Sequence, residues 1–388
     1  MAARVRQTVT RRADGRELIY FDDTEPFVSG AATRETRDRR VLPAVAATSE
    51  LRRDPLTGEW VTFAAHRMDR TFLPAVAECP LCPSRPGTAT EIPADDYDVV
   101  VFENRFPALG ADSELPGTES SGADADGTDA DGTDADGADR LWSRRPAGGR
   151  CEVVAFTADH DATFAGLDAE RARTVVDVLA ARTATLSALS GVRQVFCFEN
   201  RGAEIGVTLQ HPHGQIYAYP FLPARTATLV ARAREHRART GRSLQRDVLD
   251  AERRVGTRVV WSGTAWTAYV PAAARWPIEV HLAPHRDVPD LTALDETERD
   301  ELAVLLRDML GRVDRFFDGV DRVPYIAAWH QAPIGDDREH GRLFCQIFSV
   351  RRAADKLKYL AGSESAMGAW ISDTTPERIA ARLREVGT

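Results

Sequence analysis

Short runs of apolar and β-branched residues punctuate this chain, and two of the clearest, DVVVFENRFPAL and CEVVAFTADH, flank a long polar stretch. Such runs read as strands. A connection between them costs only logarithmically in closure entropy, so they are expected to pair as neighbours. A longer pattern also repeats: EVVAFTADHDATFAGLDAERARTVVDVLAAR, from Glu152, is echoed in register by EVHLAPHRDVPDLTALDETERDELAVLLRDM, from Glu279. In each copy a strand ends near a histidine, His160 or His285. A turn follows, and Leu-Asp with a charged first turn leads into apolar residues at helical spacing. Each helix precedes two further strand-like runs, VRQVFCFEN and HGQIYAYPFL in the first copy, YIAAWHQAP and RLFCQIFSV in the second. The pattern predicts an α+β fold with a duplicated unit, mainly antiparallel sheet and packed helices.

Composition changes this picture little. With 388 residues, 43% hydrophobic and 28% charged, the chain can bury one large core or two moderate ones. Its net charge of -9 is local, because ten acidic residues and no basic ones lie between Asp112 and Asp139; without them the balance is -9 + 10 = +1. No basic stripe remains to suggest a nucleic-acid partner. The acidic segment, about residues 113–139, is an ADADGTDADG-type repeat too poor in apolar surface to order itself, and it lacks the terminal Glu of a calcium loop. No apolar run has the length of a signal peptide or a membrane span, so a cytoplasmic enzyme with no membrane partner is expected.

Chemistry concentrates at His211-Pro212-His213-Gly214-Gln215, followed by the strand-like Ile216-Tyr217-Ala218-Tyr219. On an extended chain residues two apart share a face, so His211, His213 and Gln215 are expected to project together, with Gly214 admitting a ligand to the backbone. A neutral imidazole is a competent nucleophile toward phosphorus and its adduct can be handed on, which suits group transfer through a nucleotidyl-histidine. Among five cysteines only Cys79 and Cys82 are close, with the gap of a zinc knuckle. A redox pair would need a thioredoxin-like helix that does not follow; His160 and His211 are the natural further ligands of a Cys2His2 site. Lone histidines such as His66 and His236 carry no such expectation.

Together CPLC, FENRFPAL, FENRGAEIGVTLQHPHGQIYAYPFLP, AAWHQAP and KLKYLAGSE resemble, in this order, the galactose-1-phosphate uridylyltransferases of the histidine-triad superfamily, from about Arg52 to the C-terminus. The resemblance implies an N-terminal extension over residues 1–50 and a first histidine-triad-like repeat over 51–225. A second, degenerate repeat with a C-terminal substrate segment would cover 226–388. It implies a homodimer with nucleotide sites completed near the subunit interface. His213 is then the uridylylated nucleophile and Gln215 the amide holding a phosphoryl oxygen, while Cys79, Cys82, His160 and His211 hold one structural zinc. Arg67 and Arg70 match basic residues near the phosphates, and Asn104, Asn200, Gly206 and Thr208 match positions lining the uridine and phosphate site. Lys358, Ser363 and Glu364 fall in the segment that approaches nucleotide and sugar.

Hydrolytic members of the superfamily carry a third His where this chain has Gln215. Gln donates a hydrogen bond but cannot act as an acid at neutral pH, which favours a sugar phosphate over water as acceptor. The implied reaction is ping-pong exchange of UMP between UDP-glucose and galactose 1-phosphate. Alternatives are a related nucleotidyltransferase or phosphorylase using an ADP-sugar or dinucleoside polyphosphate, and a noncatalytic nucleotide-binding zinc protein. The chain departs from the family where some members hold a second, iron-type metal. The Glu position falls near Leu229, and Phe344 and Gln346 stand for two histidines, leaving His330. That site is expected to be absent, a rearranged set of His330, His340 and Cys345 being the alternative. Val207 replaces a frequent Cys, and Trp370 falls where a hexose-contacting Gln is expected.

Overall fold

The computed structural model describes residues 4–43, 45, 49–70, 72–110 and 143–387; the acidic repeat lies outside them. In chain order the strands are β1 (Arg6–Arg11), β2 (Glu17–Asp22), β3 (Glu50–Arg53), β4 (Trp60–Phe63), β5 (Val99–Glu103), β6 (Arg144–Pro146), β7 (Arg150–Ala155), β8 (Gln194–Arg201) and β9 (His213–Tyr219). They continue as β10 (Val259–Ser262), β11 (Trp266–Tyr269), β12 (Ile278–Pro284), β13 (Tyr325–His330), β14 (Phe344–Ser349), β15 (Arg351–Ala353) and β16 (Lys356–Leu357). The helices are α1 (Ala169–Ser187), α2 (Ala224–Thr240), α3 (Leu244–Val255), α4 (Glu296–Asp314), α5 (Gly362–Met367) and α6 (Pro376–Glu385).

Eleven strands form one antiparallel sheet in the order β1-β2-β5-β7-β9-β8-β13-β14-β12-β11-β10. Read outward from its centre, β8-β9-β7-β5 on one side mirrors β13-β14-β12-β11 on the other, so the echo in sequence is a duplication in space. The halves meet where Arg201 pairs with Tyr325 and Cys197 with Trp329. The runs flanking the acidic repeat pair as expected, Val100 opposite Ala155 and Glu103 opposite Glu152. Each Leu-Asp supplies a helix cap: Asp168 accepts from Arg171 N, and Asp295 forms a capping box with Glu298. Helices α1 and α4 lie side by side, linked by Arg173 to Glu296 at 2.7 Å and Arg299 to Asp177 at 3.2 Å.

Alternation along the strands sorts side chains into two layers. Val99, Val101, Val154, Ile216, Cys197, Val280, Ile347 and Cys345 face the helices in the main core. Leu18, Tyr20, Val100, Phe102, Val153 and Ala155 face the other way and support a knuckle carrying Cys79, Leu81, Cys82 and Tyr97.

Before residue 50, strands β1 and β2 extend the main sheet beyond β5. Behind them buried Glu91 gathers three guanidinium groups, Arg16 and Arg40 at 2.8 Å each and Arg12, and they hold its carboxyl down at about 2 against an ordinary 4.5. Burial opposes this shift and the guanidiniums outweigh it. Because the folded state lowers this acid's pKa, its stabilisation is complete above about pH 4.5 and is lost as pH falls toward 2. Glu91→Gln leaves buried cations without their counter-charge and is expected to lower unfolding free energy by about 3 kcal/mol. Denaturant titration checks this; the deficit relative to wild type should shrink below pH 4, and a variant as stable as wild type at pH 7 would contradict it.

Candidate active site and metal centre

Strand β9 alternates strictly: His213, Gln215, Tyr217 and Tyr219 lie on the open face, while Gly214, Ile216 and Ala218 are buried in the core. Of the three residues expected to project together, His213 and Gln215 share this face, and His211 does not. Gly214 serves another purpose than ligand access: a Cβ there would come within 3.0 Å of the Phe156 ring and 3.1 Å of the Phe198 carbonyl. Lying between two open-face residues, it must point into the core, and close packing there requires glycine.

His211 precedes the strand, and its ring turns into the knuckle. Its Nε2 donates to the Thr157 carbonyl at 2.8 Å and lies 2.9 Å from the hydroxyl of Tyr97, which itself donates to the Leu81 carbonyl at 2.7 Å. That fixes the tautomer and leaves the Nδ1 lone pair facing Cys82 Sγ at 3.6 Å, while His160 Nδ1 lies 3.4 Å from the same sulfur. The ligand atoms of Cys79, Cys82, His160 and His211 all lie within 4.8 Å of one another. Two sulfurs and two imidazoles around one tetrahedral zinc would stand about 3.5 Å apart, so this donor set fits such an ion. Burial and the neighbouring Cys79 push the Cys82 thiol up to about 12, and a divalent cation reverses that by favouring thiolate. Burial first, and the charges of His160 and His213 next, lower His211 to about 4, so the ring is neutral and able to ligate.

His211 also acts through its backbone. Its carbonyl accepts from His213 Nδ1 at 2.7 Å, which leaves His213 Nε2 as the free lone pair. Burial lowers the pKa of His213 and keeps the imidazole neutral. Beside it the Tyr217 hydroxyl donates to Gln215 Oε1 at 3.4 Å, which turns the amide NH2 outward.

Several other predicted residues gather around this face. Arg67 donates to the Phe106 carbonyl at 2.8 Å and, with Arg70, acts electrostatically on Tyr217. Asn104 accepts from Phe106 N at 2.8 Å, and its own N–H pairs with Cys151, the residue opposite Tyr217. Asn200 lies on β8 two residues from Phe198, which pairs with Gln215. Gly206 adopts a left-handed φ of 81° that ends a short turn before Thr208, and the Thr208 carbonyl accepts from Leu73 N at 2.8 Å, tying this loop to the segment carrying Arg70. Lys358, Ser363 and Glu364 form a separate group. Lys358 pairs with Glu364 at 3.0 Å, Ser363 bonds the Ala369 carbonyl at 2.8 Å, and these contacts stay within the C-terminal segment.

In the second repeat Leu229, His330, His340 and Phe344 line one small cavity. Phe344 stacks on His330, ring centroids 4.4 Å apart and planes 12° apart. His330 Nε2 donates to Gln346 Oε1 at 3.2 Å, Gln346 donates to Glu279 at 2.6 Å, and burial drives His330 down to about 3. Cys345 points the opposite way, into the main core, so the three-ligand rearrangement with His330 and His340 does not form. His285, the counterpart of His160, bonds Thr267 and the Thr264 carbonyl; His66 and His236 bond the Pro107 carbonyl and Asp247. Trp370 packs on Trp276 at 5.0 Å. Sequence reasoning missed Tyr97 and Tyr217; for Tyr217 the available signal was a polar-handled aromatic two residues from Gln215 on the same strand face.

Cys82→Ser is expected to reduce the metal content of the purified protein from about one equivalent per chain to near zero, measured by elemental mass spectrometry, with a lowered melting temperature. Tyr97→Phe should retain the site with affinity weakened about tenfold. Metal content unchanged in Cys82→Ser would refute the ligand assignment.

Residues 40–223 match the family model for the N-terminal domain of galactose-1-phosphate uridyl transferase, and residues 230–387 match its C-terminal domain. The chain is 45% identical to the galactose-1-phosphate uridylyltransferase of Streptomyces lividans, covering 98% of each. It is 34% identical to that of Thermotoga maritima, over 87% of this chain and 98% of the relative. A solved structure described as a uridylyltransferase superposes with a TM-score of 0.72 at 29% identity, over 87% of this chain and 98% of the other. With the duplicated sheet, these matches show that the chain belongs to the galactose-1-phosphate uridylyltransferase family of nucleotidyltransferases.

Proposed function

We propose that the protein exchanges UMP between UDP-glucose and galactose 1-phosphate by a ping-pong mechanism through a uridylyl-His213 intermediate. The observation that carries this reading is the neutral imidazole held by the His211 carbonyl at 2.7 Å, with Nε2 free beside the Gln215 amide. Nε2 attacks the α-phosphorus of UDP-glucose as the bond to the bridging oxygen breaks, and glucose 1-phosphate leaves. The ring gains positive charge while Nδ1 keeps its proton and donates it to the His211 carbonyl, which stabilises that charge. A phosphate oxygen of galactose 1-phosphate then attacks the same phosphorus, Nε2 leaves with its electron pair, and UDP-galactose is formed. Two in-line displacements retain configuration at phosphorus.

Gln215 donates to a phosphoryl oxygen in both steps and offers water no proton shuttle. Arg67 and Arg70 balance phosphate charge, and Asn104, Asn200, Gly206 and Thr208 line the nucleotide. Cys79, Cys82, His160 and His211 would hold a zinc ion, which would supply structural support by cross-linking the knuckle to the strand that presents His213. No helix among the described residues is long and apolar enough to cross a membrane. The C-terminal segment exposes Tyr359, Leu360, Met367 and Ile371, and such a patch suits a homodimer in which Lys358, Ser363 and Glu364 approach the partner's nucleotide.

Ping-pong chemistry predicts that labelled glucose 1-phosphate enters UDP-glucose in the absence of galactose 1-phosphate, and that His213→Asn abolishes this exchange by at least about 10⁴-fold. No exchange without the second substrate would overturn the mechanism. Tyr359→Glu with Met367→Glu should convert a species of twice the chain mass to a monomer with greatly reduced turnover, measured by light scattering and initial rates. A fully active double variant that remains dimeric would contradict the proposed interface.

A further inference from the structure

The chain contains two lysines among its 50 basic residues, Lys356 and Lys358. Both line one cleft of about 480 Å³, a volume in the range of small-molecule sites. Its walls are the β15–β16 hairpin, the turn at residues 372–374 and the start of α6; Phe316 and Phe317, edge to face at 5.0 Å, contribute apolar lining. No lining residue belongs to the His211–Gln215 motif or to the strands that carry it.

The charges of the cleft divide into two sets. Arg352 is neutralised by Asp373 at 3.0 Å, Arg382 by Asp318 at 2.7 Å and Glu385 at 3.0 Å, and Lys358 by Glu364 at 3.0 Å. Lys356 and Arg378 have no ion pair among the described residues, although they stand on different elements of one concavity. Two uncompensated cations beside an aromatic lining match a dianion attached to a ring, and the volume exceeds what inorganic phosphate fills. Lysine supplies a compact, strongly hydrated point charge and Arg378 a planar fork, a pairing suited to phosphate oxygens.

We propose that this cleft binds the phosphomonoester of a small ring-bearing molecule, a sugar phosphate or a nucleoside monophosphate, between Lys356 and Arg378. The site is separate from His213 and does not rest on the reaction assigned to it; Lys358 lines it too, but is paired with Glu364 and is not one of the two cations that would hold the phosphate. The scarcity of lysine makes a local test possible. Full-length protein labelled with carbon-13 at the lysine ε position gives two side-chain signals, and Lys356→Arg identifies one by removing it. Titration with glucose 1-phosphate, with UMP and with inorganic phosphate should shift the Lys356 signal saturably, the esters at lower concentration than phosphate. A response to glucose 1-phosphate alone assigns a sugar phosphate, and one to UMP alone a nucleotide. Arg378→Ala should weaken the response at least tenfold, Arg378→Lys should restore most of it, and both should leave uridylyl exchange and the melting temperature unchanged. An unmoved Lys356 signal, a shift reproduced by sodium chloride at equal ionic strength, or an undiminished response in Arg378→Ala would overturn the proposal.

Discussion

One hydrogen bond, from His213 Nδ1 to the His211 carbonyl at 2.7 Å, organises the site. It converts an imidazole with two interchangeable nitrogens into one whose lone pair is on Nε2. Its acceptor is held in turn, because the His211 ring is bound on one side by Thr157 and Tyr97 and faces the thiols on the other. The candidate metal cluster and the proposed nucleophile therefore share a single residue, the ring of His211 belonging to one and its backbone holding the other. Loosening the knuckle would tilt the carbonyl and with it His213 Nε2, so in the proposed reaction a cluster some distance from phosphorus would control geometry needed to within fractions of an ångström.

The duplicated sheet sets the frame, yet the two halves have been filled differently. Where the first half presents His213 and Gln215, the second packs Phe344 flat against His330 and ties that ring through Gln346 to buried Glu279. The imidazole there acts as a buried aromatic with one polar tether, and its depressed pKa follows from that burial. Duplication preserved topology and caps, as Asp168 and Asp295 show, while chemistry diverged at a few positions on one face. Fold and function are thus separable within a single chain.

Much of this arrangement was legible in the sequence because period and spacing encode it. The helix caps, the pairing of β5 with β7 and the shared face of His213 and Gln215 follow from local pattern. The four ligand candidates were likewise nameable before folding brought them together. Gly214 was misread although the same period-two rule places it opposite its neighbours, toward Phe156. Strands β1 and β2 were harder to read. The residues RQTVTR form a half-exposed edge strand with little apolar content, and its anchor, Glu91, lies far away in sequence. Tyr97 was invisible for a related reason: a lone aromatic among Asp95, Asp96 and Asp98, well separated from both motifs, shows no role until its hydroxyl is seen beside His211.

In the proposed reaction His213 carries the transferred group, and the most direct test is the intact mass of the protein after incubation with UDP-glucose alone. The expected result is a gain of one uridylyl group per chain, discharged on adding galactose 1-phosphate and absent in His213→Gly. No adduct on wild type, an adduct retained in His213→Gly, or an adenylyl adduct formed from ADP-glucose in its place would contradict it.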